Sequence, residues 1–342
     1  MKLLYESDAS LDPLQGKTVT VLGYGNQGRA QALNLRDSGI KVVVGNRDDE
    51  YRKLAVKEGW EPVTIPEAAA AGDILLVLTT DECMPLIWDD QIAPGIAPGN
   101  MLCWSSGYNI GYGLIQLPAD VDAVMIAPMM PGNMVRTLFE RGTGVVGQFA
   151  VEQDSSGQAR EIVLGLCKGM GLTRVGVYES SFMAEAHLNL FTEQVVWPGI
   201  AAWFVECFEL AVREGLDPEA VVMALYASGE SAEILGLTAR YGFFKQMRYH
   251  STTSQYGTLS RAKTIISDSM REQARKNFVD DIKGGRFVKE WTVDSKNSSA
   301  RLKELWDEAL AHPMSQAEAR VIELLEAAHT DDGQTGGSPA ID

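Results

Sequence analysis

The residues with the clearest chemistry lie near the start of the chain. Gly23-Tyr24-Gly25-Asn26-Gln27-Gly28 has the GxGxxG spacing and follows directly on an apolar, β-branched run at 17–22. Such a run reads as a buried parallel strand, and Asn26 then opens a stretch with Ala and Leu at helical spacing as far as Ser38. In a strand–turn–helix setting each glycine has a task. The first permits the tight turn, and the second lets the backbone approach a pyrophosphate. The third lets helix and strand close on one another, with the helix N-terminus facing the phosphates. In this context the hexad predicts a dinucleotide site, whereas alone it would be weak evidence.

A second strand at 41–44 runs into Gly45-Asn46-Arg47-Asp48-Asp49-Glu50, where the 2′ position of the adenosine ribose is read. An acid there accepts hydrogen bonds from a 2′-hydroxyl and repels a 2′-phosphate. Arg47 argues the other way, since a guanidinium pairs with phosphate, though it also stacks on adenine. Three acids against one arginine favour NADH over NADPH; a solvated charged turn would have the same composition. The cysteines Cys83, Cys103, Cys167 and Cys207 have neither CxxC nor zinc spacing and read as reduced, mostly buried thiols.

The elements that must position these groups follow from the pattern of the chain. Further strands at 73–78, 101–104 and 123–126 alternate with helical or loop segments, which implies a doubly wound parallel sheet, a Rossmann domain over 1–180. Beyond it, helical stretches at 181–214, 218–240, 260–284 and 297–328 dominate, so 181–328 is expected to be all-helical. Residues 329–342, rich in Gly, Ser, Asp and Pro, are expected to form a disordered tail. With 342 residues, 45% hydrophobic and 22% charged, the chain can bury two cores. The net charge of −16 repels a phosphate backbone and argues against a nucleic-acid partner. No apolar stretch of membrane-spanning length and no apolar signal core is read, so a cytoplasmic protein without a membrane partner is expected.

With these residues placed, the chain resembles the short, class I ketol-acid reductoisomerases. The family's GYGxQG signature and the helix after it stand here as Gly23 to Gly28 and Arg29 to Gly39. Leu78-Thr79-Thr80-Asp81-Glu82 resembles the family's cofactor loop after the third strand. Gly107-Tyr108-Asn109-Ile110, Met125-Ile126-Ala127-Pro128, Pro131-Gly132, Leu190-Phe191-Thr192-Glu193-Gln194, Met247-Arg248-Tyr249 and Lys289-Glu290-Trp291 match in order, over roughly 1–325. The resemblance implies a Rossmann domain plus a knotted helical domain, paired into a homodimer that shares its active site. It also implies cofactor contacts at Leu78, Thr79, Thr80, Asp81 and Gly132.

The departures from the family are as informative as the matches. Ketol-acid reductoisomerases use two Mg²⁺ ions to drive an alkyl shift in a 2-hydroxy-3-keto acid before hydride reduction, and Mg²⁺ requires oxygen ligands, carboxylates above all. The first metal motif, DLFGE, reads Asn189-Leu190-Phe191-Thr192-Glu193, so its bridging Asp is a neutral amide while Glu193 remains. The second, Glu-x-x-x-Glu, is not recognisable. Counting from Pro218 places Ala224 and Ser228 there, counting back from Met247 places other residues, and the nearest acids are Glu230 and Glu233. The His of AHG is Ser106, and the Lys of APKGPG is Met129. Ser251 matches the family serine that binds the substrate carboxylate from the partner subunit.

The substitutions all remove charge, which weakens a two-metal isomerisation more than a hydride transfer carried by the cofactor. The expected activity is therefore a metal-independent NAD(P)H reductase of a C=N bond, cyclic imines included, or of a C=O bond, in a specialised biosynthetic pathway, with no resident Mg²⁺. Glu193 would stabilise an iminium or relay a proton, with Ser106, and secondarily Tyr226 and His187, as polar helpers. Two other readings are a Mg²⁺-dependent reductoisomerase with relocated ligands and a non-catalytic cofactor-binding protein.

Overall fold

The computed structural model describes residues 1–330; residues 331–342, most of the expected tail, lie outside the described residues. The chain divides into two compact units, Met1–Asn189 and a second from Leu190 onward.

The first unit is built on a seven-stranded sheet. Its strands are β1 (Thr18–Leu22), β2 (Lys41–Gly45), β3 (Ile74–Val77), β4 (Met101–Trp104), β5 (Asp122–Pro128), β6 (Gly147–Gln153) and β7 (Val177–Glu179), in the order β2-β1-β3-β4-β5-β6-β7. The pairs from β2 to β5 are parallel, as expected, but β6 runs antiparallel to β5 and β7 parallel to β6. The last two strands had no counterpart in the sequence reading. The helices are α1 (Asn26–Asp37), α2 (Glu50–Lys57), α3 (Ile65–Ala71), α4 (Met84–Ile87), α5 (Tyr108–Gly111), α6 (Gly132–Glu140), α7 (Ala159–Gly169) and α8 (Phe182–Phe191).

Alternation along the strands sorts side chains between two cores, one on each face of the sheet. Val19, Val21, Ile74, Leu76, Met101, Cys103, Val124 and Ile126 pack with α1 and α7 on one face. Leu22, Leu75, Val77, Leu102, Trp104, Ala123 and Met125 pack with α3 and α4 on the other. Strand order reverses at β1, with β2 on one side and β3 on the other. In such sheets the crevice beyond the carboxyl ends at that point is where a ligand fits.

The second unit is helical throughout its described residues, as the sequence implies, around a core of Phe208, Val221, Val222, Met314, Ala317 and Val321. The expected long helices are interrupted. Gly229 (φ 83°) breaks 218–240 before Glu230–Tyr241, Ser267 caps Asp268–Lys276 inside 260–284, and Ser298 and Ser299 (φ 61° and 52°) precede Ala300–Leu310. Three π turns occur, Thr192–Val196, Met223–Ala227 and Asn277–Lys283. The first has a covalent cause. Pro198, at the start of α9 (Trp197–Arg213), has no N–H for the carbonyl of Gln194, and the side-chain amide of Asn277 donates to that carbonyl instead at 3.2 Å.

One sequence reading is corrected here. Phe182–Arg213 (32 residues, mean hydropathy 1.5) and Pro218–Tyr241 (24 residues, 1.3) are long and apolar enough to cross a membrane by length and composition. Scattered Glu, Arg and Ser residues break the apolar run in sequence without lowering its average below that level.

Candidate active site: a dinucleotide cleft and an acidic pocket

The glycine loop is shaped by close approaches. Gly23 (φ 104°) donates its N–H to the Gly45 carbonyl at 2.8 Å, and a Cβ there would lie 2.8 Å from the Leu78 oxygen. A Cβ on Gly28 would lie 1.9 Å from the Gly23 oxygen, so α1 can meet β1 only with glycine at this position. Around Gly25, the N-cap of α1, a Cβ would meet nothing within 4 Å, leaving its backbone open to a ligand. Gly132 serves a second helix. Its missing Cβ would stand 2.1 Å from the Asn26 oxygen, Asn133 N–H donates to Asn26 Oδ1 at 3.0 Å, and Gln27 Nε2 donates to the Met130 carbonyl at 2.9 Å. The N-termini of α1 and α6 are thereby held side by side, two positive dipole ends of the kind that suit an anion.

Tyr24 has a structural task. Its ring is fully buried, its hydroxyl donates to Glu58 at 2.8 Å and accepts from Trp60 Nε1 at 2.6 Å, and its N–H donates to Asn46 Oδ1 at 2.9 Å. Burial first, then the Glu58 carboxylate, raises the phenol pKa and keeps it protonated.

A cleft of about 320 Å³ opens beside the loop, lined by residues that include Gly23, Gly25, Asn46, Arg47, Asp49 and Thr79. Arg47 Nε pairs with Asp49 Oδ2 at 2.7 Å, while Asp49 Oδ1 caps α2 by accepting from the Arg52 N–H and takes the Asn46 amide at 2.8 Å. Burial alone would raise the Asp49 carboxyl, but the bonds from Arg47, the Arg52 backbone and Asn46 outweigh it and hold it below the usual carboxylate range. Asp48 is not among the lining residues; of the three acids in the charged turn, Asp49 faces the cleft.

At the ends of β3 and β4 lies a second pocket of about 170 Å³, walled by Gln27, Val77, Leu78, Thr79, Thr80, Asp81, Met84, Trp104, Ser105 and Ser106. Ser106 donates its hydroxyl to Asp81 Oδ1 at 3.2 Å, and the Asn109 amide reaches the same oxygen at 3.2 Å. Thr79 Oγ1 and Trp104 Nε1 are buried without a hydrogen-bond partner among the described residues, which fits a wall completed by a ligand. Two groups escaped the sequence reading. Glu185, 4% exposed, accepts the Gly107 N–H at 2.5 Å and so anchors the turn that carries Ser106. Tyr108 is buried and stands edge-on to Tyr112 (5.4 Å), which in turn meets His187 (6.1 Å). No local spacing announces Glu185, because it lies 78 residues from its partner.

The remaining expected site residues belong to the second unit. Glu193 sits in the π turn Thr192–Val196 and is exposed in the single chain. Ser251 caps the helix Thr252–Ile265, its Oγ accepting from the Ser254 N–H at 3.2 Å. Tyr226 is engaged in the helical core, hydrogen-bonded to Glu318 and stacked on Phe204 at 5.6 Å.

The two groups that ketol-acid reductoisomerases use, a nicotinamide dinucleotide and a pair of Mg²⁺ ions, fare differently against these residues. The open backbone at Gly25, the paired helix N-termini and the unpartnered Thr79 hydroxyl fit a dinucleotide. A pair of Mg²⁺ ions needs several carboxylate oxygens together. Among the described residues no group of three or more His, Cys, Asp or Glu side chains could hold a metal ion, and Asn189 offers only a neutral amide beside Glu193.

Comparison with known proteins supports one lineage over most of the chain. Residues 13–176 match the NADPH-binding domain of acetohydroxy acid isomeroreductase, and 182–327 match the C-terminal domain of ketol-acid reductoisomerase. The ketol-acid reductoisomerase (NADP(+)) of Pyrobaculum islandicum is 39% identical, covering 95% of this chain and 98% of its own. That of Methanocaldococcus jannaschii is 40% identical, covering 89% and 92%. The solved structure of an NADH-preferring ketol-acid reductoisomerase from an uncultured archean superposes with a TM-score of 0.90 at 33% identity, covering 95% of this chain and 99% of that one. The chain belongs to the ketol-acid reductoisomerase family of nicotinamide-dependent oxidoreductases.

Proposed function

We propose that this family member reduces a C=N or C=O bond with a nicotinamide cofactor and without the two-metal alkyl shift, as a homodimer. The observation that carries the reading is the donor set: an amide at 189, one retained carboxylate at Glu193, and methionine at 129. When bound, the cofactor supplies the hydride. The chain's own work is then to hold and orient. The glycine loop and the N-termini of α1 and α6 grip the pyrophosphate, Thr79 and Trp104 offer hydrogen-bonding groups to the reacting end, and Glu193 stabilises positive charge or relays a proton at the acceptor. An iminium carbon is electrophilic without a Lewis acid, which suits a site with few charges.

NADH is the preferred cofactor on this reading, because Asp49 occupies the 2′ corner and engages Arg47, the cation that would otherwise receive a 2′-phosphate. The likeness to an NADH-preferring archaeal relative supports that choice. The homodimer is supported by the exposed Trp197, Ile200, Trp203, Phe243 and Phe244 of the single chain, an apolar surface that water does not favour. Light scattering should then give a mass near twice 37.3 kDa.

The names of the relatives favour a second reading, a Mg²⁺-dependent ketol-acid reductoisomerase with other ligands. The deciding experiment compares 2-methyl-1-pyrroline with acetolactate, following NADH and NADPH oxidation in Mg²⁺ and in EDTA. Imine reduction unaffected by EDTA is expected; Mg²⁺-dependent turnover of acetolactate would establish the second reading instead.

A further inference from the structure

A further cavity of the first unit lies away from the cleft and the pocket described above. Its volume of about 380 Å³ falls within the range of about 300–1,000 Å³ usual for small-molecule sites. It is built at the amino ends of two neighbouring strands, where Lys17 precedes β1 and Lys41 opens β2. The glycine loop is at the opposite end of β1, roughly 15 Å away at about 3.3 Å per residue. The floor is apolar, with Leu11, Leu14 and Ile40 lining it and Leu14 only 4% exposed. The wall carries Lys17, half-buried, and Lys41, exposed, and no Asp or Glu among its described residues. Neither ammonium has an ion pair or a hydrogen bond among the described residues. The carboxylates nearest in sequence are engaged elsewhere. Asp12 accepts from Ser10 Oγ at 2.8 Å and Gln15 Nε2 at 3.1 Å, and Asp37 from Arg136 at 2.6 Å and Arg36 at 3.4 Å. The neutral polar groups of the wall are taken as well, since Ser38 Oγ donates to the Gly169 carbonyl at 2.7 Å. What remains for a ligand is two ammoniums, each with three donors, above an apolar floor. Two like charges at one cavity repel, and an anion between them relieves both. In a chain of net charge −16 this is a local reversal of sign, which draws an anion to this place rather than to the surface around it.

We propose that this cavity is a second ligand site, for a small carboxylate with an apolar tail. Lys17 and Lys41 receive the carboxylate, and the tail covers Leu11, Leu14 and Ile40. Charge and apolar burial act together here. The lysines alone would hold any anion weakly in water, and the floor alone would hold any hydrocarbon weakly, so the preferred ligand is the one that uses both. The proposal stands apart from the reductase reading, because no residue of this cavity lines the dinucleotide cleft or the pocket at the ends of β3 and β4.

The test is calorimetric titration of the full-length protein, saturated with NADH, with three probes at pH 7 and low salt. Hexanoate has both the charge and the tail, inorganic phosphate has charge alone, and 1-hexanol has the tail alone. Hexanoate should bind at least tenfold more tightly than either of the others. In the double variant Lys17→Gln/Lys41→Gln, hexanoate affinity should fall at least tenfold while 1-hexanol is unchanged. NADH affinity of that variant should stay within twofold, which also reports that it is folded. Absence of hexanoate binding, or phosphate or 1-hexanol binding as tightly as hexanoate, would overturn the proposal on the unaltered protein alone, whether or not the variant folds. Hexanoate binding that survives the double substitution would place the carboxylate elsewhere and overturn it equally. Each of these results leaves the reductase reading untouched, since that reading is decided by turnover of 2-methyl-1-pyrroline against acetolactate.

Discussion

Two glycines of one loop should fail in different ways when each becomes alanine, and the structure sets both outcomes. At Gly28 the new Cβ would lie 1.9 Å from the Gly23 oxygen and 3.4 Å from Val21 Cγ1. To reach even 3.0 Å, the closest approach real Cβ atoms make, helix and turn must separate by about 1.1 Å (3.0 − 1.9). Neither neighbour is a flexible side-chain end; the obstacle is backbone that also donates to Gly45. Overpacking of this kind costs about 1–3 kcal/mol, and a backbone obstacle belongs at the upper end. For a unit of this size about 3 kcal/mol lowers the melting temperature by roughly 6–12 °C.

Gly25 is the contrast. Its φ of −75° suits alanine, and a Cβ there meets nothing within 4 Å. Losing glycine for alanine at an N-cap costs less than about 1 kcal/mol, so stability should barely change. The Cβ would instead fill the space a pyrophosphate needs. Thermal unfolding and calorimetric titration with NADH, run on both variants, separate the two effects. Gly28→Ala should unfold early, whereas Gly25→Ala should unfold like the parent and lose at least tenfold in NADH affinity. Parent-like NADH binding by Gly25→Ala would refute the placement of the pyrophosphate at this loop. Parent-like stability of Gly28→Ala would refute the tightness of the α1–β1 contact.

Asp49→Ala should cost about 1 kcal/mol through the lost cap of α2. By freeing Arg47 it should also raise the NADPH-to-NADH affinity ratio about tenfold in paired titrations, roughly 1.4 kcal/mol. Glu193→Gln should lower imine turnover about 100-fold or more while leaving NADH affinity unchanged, and equal turnover would remove Glu193 from the reaction. Burial alone would raise the Glu58 carboxyl, but the bonds from Arg29 and Tyr24 hold it below its ordinary value of 4.5. Its contribution to stability is therefore full above that pH and lost as pH falls below it, so Glu58→Gln should flatten the acid limb of a stability-versus-pH curve. Asn277→Ala strips the donor from the Gln194 carbonyl and should destabilise by about 1–3 kcal/mol, less when combined with Pro198→Ala, which restores an N–H to that carbonyl; an additive double variant would break the link.

What the sequence discloses depends on how far a residue's partners lie along the chain. The glycine loop, β1 to β5 and the charged turn after β2 are set by spacing within a few residues, and a reader of the chain finds them. Strands β6 and β7 escape because they are short or flanked by glycine, and because β6 joins the sheet against the direction of the preceding pattern. Asp48 and Asp49 look alike in sequence; only the turn of the backbone into α2 makes Asp49 the cap, the partner of Arg47 and the acid that lines the cleft. Glu185 and Asn109 gain their meaning from partners 78 and 28 residues away.

Glu193 shows the limit most clearly. Its identity stands out in the motif, but its direction does not, because an α-helix drawn through 181–214 would aim it by a turn of 3.6 residues. Pro198, four residues beyond Gln194, denies that carbonyl its helical donor, and the chain widens into a π turn over Thr192–Val196. Asn277 then supplies the missing donor from a second π turn, and Phe278 beside it meets Phe191 edge-on at 5.0 Å. The turn that carries the carboxylate retained from the family is thus shaped by a proline and an asparagine 79 residues apart in sequence.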